Sequence, residues 1–169
     1  NAYGMVLAYV TLGEYDVHHI RDCYRGNCAP RVLEVEVEDI IIHPLYRKAN
    51  AFSDDYCLLR LIHDVEFNDY IQPVCLPSVI DNNEKTLYNM NMTVAGWGVT
   101  ENLPQTRHPH ILQEVDVVVR PTEFCDAEIE MHFDWESQIC TGASEPNTSP
   151  CPGDSGGPLM YYNTTGDSG

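Results

Sequence analysis

Gly153-Asp154-Ser155-Gly156-Gly157-Pro158, with Cys151 two residues ahead of it, decides how this chain is read. A hydroxyl nucleophile needs room for an incoming carbonyl and backbone N–H groups aimed at the oxyanion that develops. Glycine at 153 lets the backbone take an otherwise costly conformation and presents its N–H with no side chain in the way. Ser155 then supplies a hydroxyl and its own N–H, Gly156 and Gly157 keep the floor open, and Pro158 fixes the exit. The plain alternative is a glycine-rich β-turn that contains a serine. Six residues in this order behind a cysteine argue against it.

Outward from that loop the chain reads as short strands. Leu33-Glu34-Val35-Glu36-Val37-Glu38 alternates with a period of two, the pattern of a strand with one wet face. Ile40-Ile41-Ile42 then runs into His43-Pro44, where the proline ends the ladder. Cys57-Leu58-Leu59-Arg60-Leu61-Ile62 is nearly all apolar and predicts a strand buried on both faces. Thr93-Val94-Ala95-Gly96-Trp97-Gly98 predicts a strand whose glycines permit close backbone approach. Val115, Val117 and Val119 alternate with Asp116 and Val118. Only 121–130 reads as helix, with Thr122 as its cap and Pro121 discouraging an earlier start. Several short strands separated by turn signals indicate an all-β sandwich or barrel. The stretch 73–89, with two prolines and a polar Asp81-Asn82-Asn83-Glu84-Lys85 centre, is the candidate connector between two halves.

The 169 residues allow a real core but fall short of the roughly 200–250 common for all-β barrel domains. Nine basic residues stand against 26 acidic ones, a net charge of −17. Such a surface repels nucleic acid and anionic membranes, and its plain reading is a solubilising, self-repelling shell. No apolar run approaches the roughly 20 residues that span a bilayer, and no signal peptide stands at Asn1.

Seven cysteines occur without a CxxC pair, which disfavours a metal site and points to an oxidising compartment. Their separations suggest a small Cys23–Cys28 loop and a larger Cys125–Cys140 loop. Cys57, Cys75 and Cys151 remain, and an odd count implies an intermolecular bond, a free thiol or a missing partner. Sequons at Asn91, Asn147 and Asn163 fit an extracellular route.

The nucleophile segment resembles that of chymotrypsin-like (trypsin-family) serine proteases. Other stretches agree in family order: Leu12-Gly13-Glu14-Tyr15-Asp16, Ile42-His43-Pro44, Asp55-Tyr56-Cys57-Leu58-Leu59-Arg60-Leu61, Pro73-Val74-Cys75-Leu76-Pro77, Ala95-Gly96-Trp97-Gly98 and Ile139-Cys140-Thr141-Gly142. The resemblance implies two Greek-key antiparallel β-barrels. Residues 1–72 would be the remainder of the first, 73–92 the connector and 93–169 the second, with the fold cut at both ends. It implies that Ser155 is the nucleophile and that the N–H groups of Gly153 and Ser155 form the oxyanion hole. Asp55 would accept a hydrogen bond from the catalytic histidine and hold its tautomer; a solvated turn aspartate is the alternative. Asp154 would pair with the α-ammonium released by zymogen cleavage. A buried carboxylate lacking its partner is costly.

The family's catalytic histidine stands in an A-A-H-C segment upstream of Leu12, and residues 1–11 contain none. His18, His19, His43, His63, His108, His110 and His132 lack that neighbourhood, so all seven read as structural or solvent-facing. The expectation is that the general base and the C-terminal strand and helix lie outside this chain, which alone would be inactive. Cys151 would then have an external partner, Cys75 would tether a cleaved pro-region, and Cys57 would be a buried free thiol. Ser149 stands where an aspartate would select Arg or Lys, which favours an apolar or aromatic residue before the scissile bond.

The Cys23–Cys28 loop followed by Ala29-Pro30-Arg31 resembles arthropod clip-domain proteases. Glu14, Asp16 and Asp22 lie where some relatives hold Ca²⁺, although a solvated acidic loop is the plainer reading; no other cofactor and no metal is expected. The implied function is secreted, zymogen-activated peptide-bond hydrolysis. The implied partners are protein substrates, protein inhibitors and a disulfide-linked clip chain. A non-catalytic protease homologue serving as cascade adaptor is the alternative, and a disulfide-rich binding module a third.

Overall fold

The structure, a computed structural model, describes residues 7–48, 52–76, 87–100, 108–129, 137–146 and 148–162. The chain divides into two compact units, Asn1–Pro77 and Ser78–Gly169.

In the first unit, β1 (Tyr9–Leu12), β4 (Leu33–Ile42) and β5 (Cys57–Leu61) form an antiparallel sheet in the order β1-β4-β5. The alternation read in the sequence holds in the first half of β4: Val35 is buried between the exposed Glu34 and Glu36. A bulge then interrupts the ladder, with Val37 opposite Leu61 but Asp39 opposite Arg60. A bulge adds one residue to one strand and shifts the face on which later side chains lie. β4 ends at Ile42, one residue before His43-Pro44. A short hairpin of β2 (Cys23–Tyr24) and β3 (Asn27–Cys28) is pinned by the Cys23–Cys28 disulfide.

β5 departs from expectation. The strand forms, but Leu58 is 68% exposed and Cys57 is an exposed free thiol, not a buried one. An apolar run reports a strand suited to burial. Burial itself needs a second layer, and no described element covers this one. Ile40, Ile41 and Ile42 are exposed for the same reason.

The second unit holds a four-stranded antiparallel sheet in the order β8-β7-β6-β9, from β6 (Asn91–Gly96), β7 (Gln113–Val119), β8 (Thr141–Ala143) and β9 (Leu159–Met160). Its core is Met92, Val117 and Val119, with Leu87, Tyr88 and Val94 packed around them. Val117 and Val119 are each 1% exposed, and burying a valine contributes about 1.5–3 kcal/mol. On the other face Thr93 Oγ1 donates to Asp116 Oδ1 at 2.8 Å, which satisfies the polar members of the alternation. Helix α1 (Thr122–Ile129) follows Pro121, and the buried Cys125–Cys140 disulfide ties it to the segment entering β8. Strand β6 begins at Asn91 and ends at Gly96, so Trp97 and Gly98 lie beyond the ladder.

Candidate active site

The Gly153–Pro158 segment hangs across the end of β6, because β9, which follows it directly, pairs with β6 at Thr93↔Met160 and Val94↔Leu159. Three contacts fold it into a fixed shape. Asp154 N–H donates to the carbonyl of Cys151 at 3.0 Å, Cys151 N–H donates back to Asp154 Oδ2 at 2.9 Å, and Gly157 N–H donates to the carbonyl of Asp154 at 2.8 Å. Two more reach the strand end: Gly98 N–H donates to Asp154 Oδ1 at 2.7 Å, and Val99 N–H donates to the carbonyl of Pro152 at 3.0 Å.

Asp154 is thus the keystone of the loop. Both of its carboxylate oxygens accept backbone N–H groups, so this half-buried carboxylate has partners within the second unit. Hydrogen bonds to a charged acceptor are worth about 1.5–3 kcal/mol each. Gly98 makes the approach possible. A Cβ there would lie 2.5 Å from the carboxylate carbon of Asp154, well inside contact distance.

Gly153 has φ +102°, a conformation that L side chains rarely adopt. Ser155 is exposed on the surface of the loop. Among the described residues, no acceptor takes the N–H of Gly153 or of Ser155, and none engages the Ser155 hydroxyl. Ser149 is exposed, and its carbonyl lies 3.6 Å from Cys151 Sγ. Cys151 is a half-buried free thiol and Cys75 an exposed one.

One residue missed in the sequence belongs to this neighbourhood. His108 donates Nδ1–H to the carbonyl of Trp97 at 2.9 Å, and its ring packs over Gly153, where a Cβ would lie 2.9 Å from Cε1. Nothing in the periodicity of the surrounding residues marks it. Its place comes from contacts with residues distant in the chain, Trp97 and Gly153.

In the first unit Asp55 is exposed. Its neighbour Asp54 has φ +52°, an uncommon value for a residue with a side chain, costing about 1–3 kcal/mol. The carbonyl of Asp54 accepts Tyr56 N–H at 2.9 Å, so Asp55 is the central residue of a three-residue turn. His43, read as structural or solvent-facing, is half-buried here. Its Nδ1 lies 3.4 Å from Asp54 Oδ1 and its ring stacks on Tyr56 with centroids 4.5 Å apart.

In the acidic loop, Glu14 Oε1 accepts Tyr15 N–H at 2.9 Å, and Asp16 accepts His18 N–H through Oδ1 and His19 Nδ1–H through Oδ2. The Asp22 carbonyl accepts Ala29 N–H. Of the three sequons, Asn91 is exposed at the start of β6, whereas Asn147 and Asn163 lie outside the described residues.

The family model described as Trypsin matches residues 22–166. The chain belongs to the trypsin family. The Spaetzle-processing enzyme of Drosophila melanogaster is 36% identical over 174 aligned positions, covering 96% of this chain and 42% of that protein. The CLIP domain-containing serine protease HP8 of Bombyx mori is 34% identical and covers 91% of this chain and 42% of that protein. The Drosophila Grass clip serine protease of the Toll pathway superposes with a TM-score of 0.73 at 32% identity, over 90% of this chain and 43% of that one. Mouse neuropsin superposes at 0.72 with 26% identity, over 90% of this chain and 61% of that one. The trypsin-family chain therefore has the two-barrel, all-β fold of these neighbours and close kinship with arthropod clip-domain proteases. It spans about two-fifths of the length of the curated relatives it matches. No helix among the described residues is long and apolar enough to cross a membrane.

Proposed function

We infer that this chain carries the nucleophile and the acid of a secreted serine endopeptidase that works in an extracellular proteolytic cascade. One observation carries the reading: an exposed serine hydroxyl stands on a loop whose two flanking amides, at Gly153 and Ser155, have no acceptor among the described residues. Unpaired N–H groups beside a free hydroxyl suit an oxyanion that forms only during reaction.

In this reading Ser155 Oγ attacks the scissile carbonyl, and a histidine takes its proton and later gives it to the leaving amine. Asp55 orients that histidine, and the Gly153 and Ser155 amides hold the tetrahedral oxyanion until the acyl-enzyme forms; water then releases the acid. The histidine is supplied by a part of the protein outside this chain. Asp154 would exchange its present backbone partners for the new α-ammonium on zymogen cleavage. Ser149 places no charge at the specificity position, which favours an apolar or aromatic residue before the cut. Cys75, an exposed thiol here, would join a clip or pro-region chain. Relatives named for processing Spaetzle and for activating phenoloxidase favour a substrate that is itself a protein processed or activated by cleavage.

The test is hydrolysis of peptide anilides by the activated full-length protease. The expected result is preference for Phe, Tyr or Leu over Arg or Lys at the cleaved position, with activity abolished by Ser155→Ala. A Ser155→Ala variant that still hydrolyses them at the wild-type rate overturns the assignment.

A further inference from the structure

We propose that His43 and Asp54 form a positioning pair that fixes the direction of the Asp55 carboxylate; the proposal rests on Asp55 being the triad acid. His43 touches both residues that flank Asp55. On one side, its Nδ1 stands 3.4 Å from Asp54 Oδ1. On the other, its ring lies 4.5 Å from that of Tyr56 with the planes 31° apart, and its backbone N–H donates to the Tyr56 carbonyl at 3.2 Å. The turn between them is closed by Tyr56 N–H on the Asp54 carbonyl at 2.9 Å, leaving Asp55 as its apex.

Two features show that this arrangement is held and not merely tolerated. Asp54 keeps a left-handed backbone, φ +52°, uncommon for a residue with a side chain although aspartate tolerates it better than most. Ser53, immediately before it, is fully buried, and its carbonyl accepts Arg47 N–H at 3.0 Å, so the turn is anchored at its entry. The Nδ1 atom of His43 is itself buried and has no well-aligned hydrogen-bond partner among the described residues, and the Asp54 carboxylate faces it at 3.4 Å. The segment from Ser53 to Tyr56 is therefore fixed at entry, at the carboxylate before the apex and at the ring after it. Asp55 is exposed at its apex. A triad acid works through a single hydrogen-bond direction, and displacement by about 1 Å costs on the order of a hundredfold in rate.

The experiment uses the activated full-length protease and four variants. Asp54→Gly keeps the backbone, because glycine is comfortable at positive φ, and removes the carboxylate. Asp54→Asn keeps an oxygen facing His43 and tolerates the same backbone. His43→Leu removes the other partner, and Asp55→Asn tests the triad acid itself. Expected are kcat reduced about ten- to a hundredfold in Asp54→Gly and His43→Leu with KM within about twofold, and near wild-type kcat in Asp54→Asn. Asp55→Asn should lose about ten-thousandfold. Wild-type kcat in Asp54→Gly together with a crippled Asp55→Asn overturns the positioning pair and leaves the triad reading standing. A raised KM with unchanged kcat in Asp54→Gly overturns it equally. Wild-type kcat in Asp55→Asn overturns the assignment of Asp55, and the pair with it.

Discussion

Gly98 donates its N–H to the carboxylate of Asp154, 56 residues further along the chain, at 2.7 Å. This bond joins the end of β6 to the nucleophile loop, and the absence of a side chain at 98 is its precondition. Gly98→Ala would set a methyl 2.5 Å from the carboxylate carbon, so the loop must move. Forced overpacking of this kind costs about 1–3 kcal/mol. Equilibrium urea unfolding of the chain should show that loss as a lower midpoint at constant slope. An unchanged midpoint would mean that Asp154 is not held as described.

Val117 is 1% exposed at the centre of the second unit's core. Val117→Ala removes two methyl groups' worth of packing and leaves a cavity, at a cost of about 1.5–3 kcal/mol. Val115, on the same alternation but only half-buried, should cost less when changed to alanine. Urea midpoints of the two variants check the ranking, and equal losses would contradict the register of β7.

The two disulfides sit in different surroundings. Cys125 and Cys140 are 7% and 2% exposed, whereas Cys23 is on the surface. Exchange requires access for the attacking thiolate, so mild reductant should open Cys23–Cys28 first. Removing Cys125–Cys140, which closes a 15-residue separation, should cost about 3 kcal/mol, and removing the five-residue loop less. Native alkylation of this chain by itself, followed by peptide mapping, should find Cys57 and Cys75 modified rapidly and the half-buried Cys151 more slowly. Protection of Cys57 would show that β5 is covered after all.

The sequence was most legible where the signal is local. Alternation marked the first half of β4, valine spacing marked β7, Pro121 and Thr122 marked the start of α1, and cysteine spacing gave both bridges. In the Gly153–Pro158 motif, the glycine expected to take a costly backbone conformation has φ +102°, and Ser155 is exposed. What stayed hidden was set by distant partners. The bulge between Val37 and Asp39 follows from pairing with β5, and no periodicity before it foretells the slip. The exposure of β5 depends on which layer lies over it, a property of other residues. The contacts of Gly98 with Asp154 and of His108 with Gly153 join positions far apart in the chain, and each looks unremarkable in its own neighbourhood.

Covalent trapping tests most directly whether Ser155 is a nucleophile on a loop whose Gly153 and Ser155 amides have no acceptor among the described residues. The activated full-length protease, treated with a fluorophosphonate and digested, should carry one phosphonyl group, on the peptide containing Ser155, and Ser155→Ala should carry none. A stoichiometric adduct on another residue, or full activity surviving complete modification, would show that Ser155 is not the nucleophile.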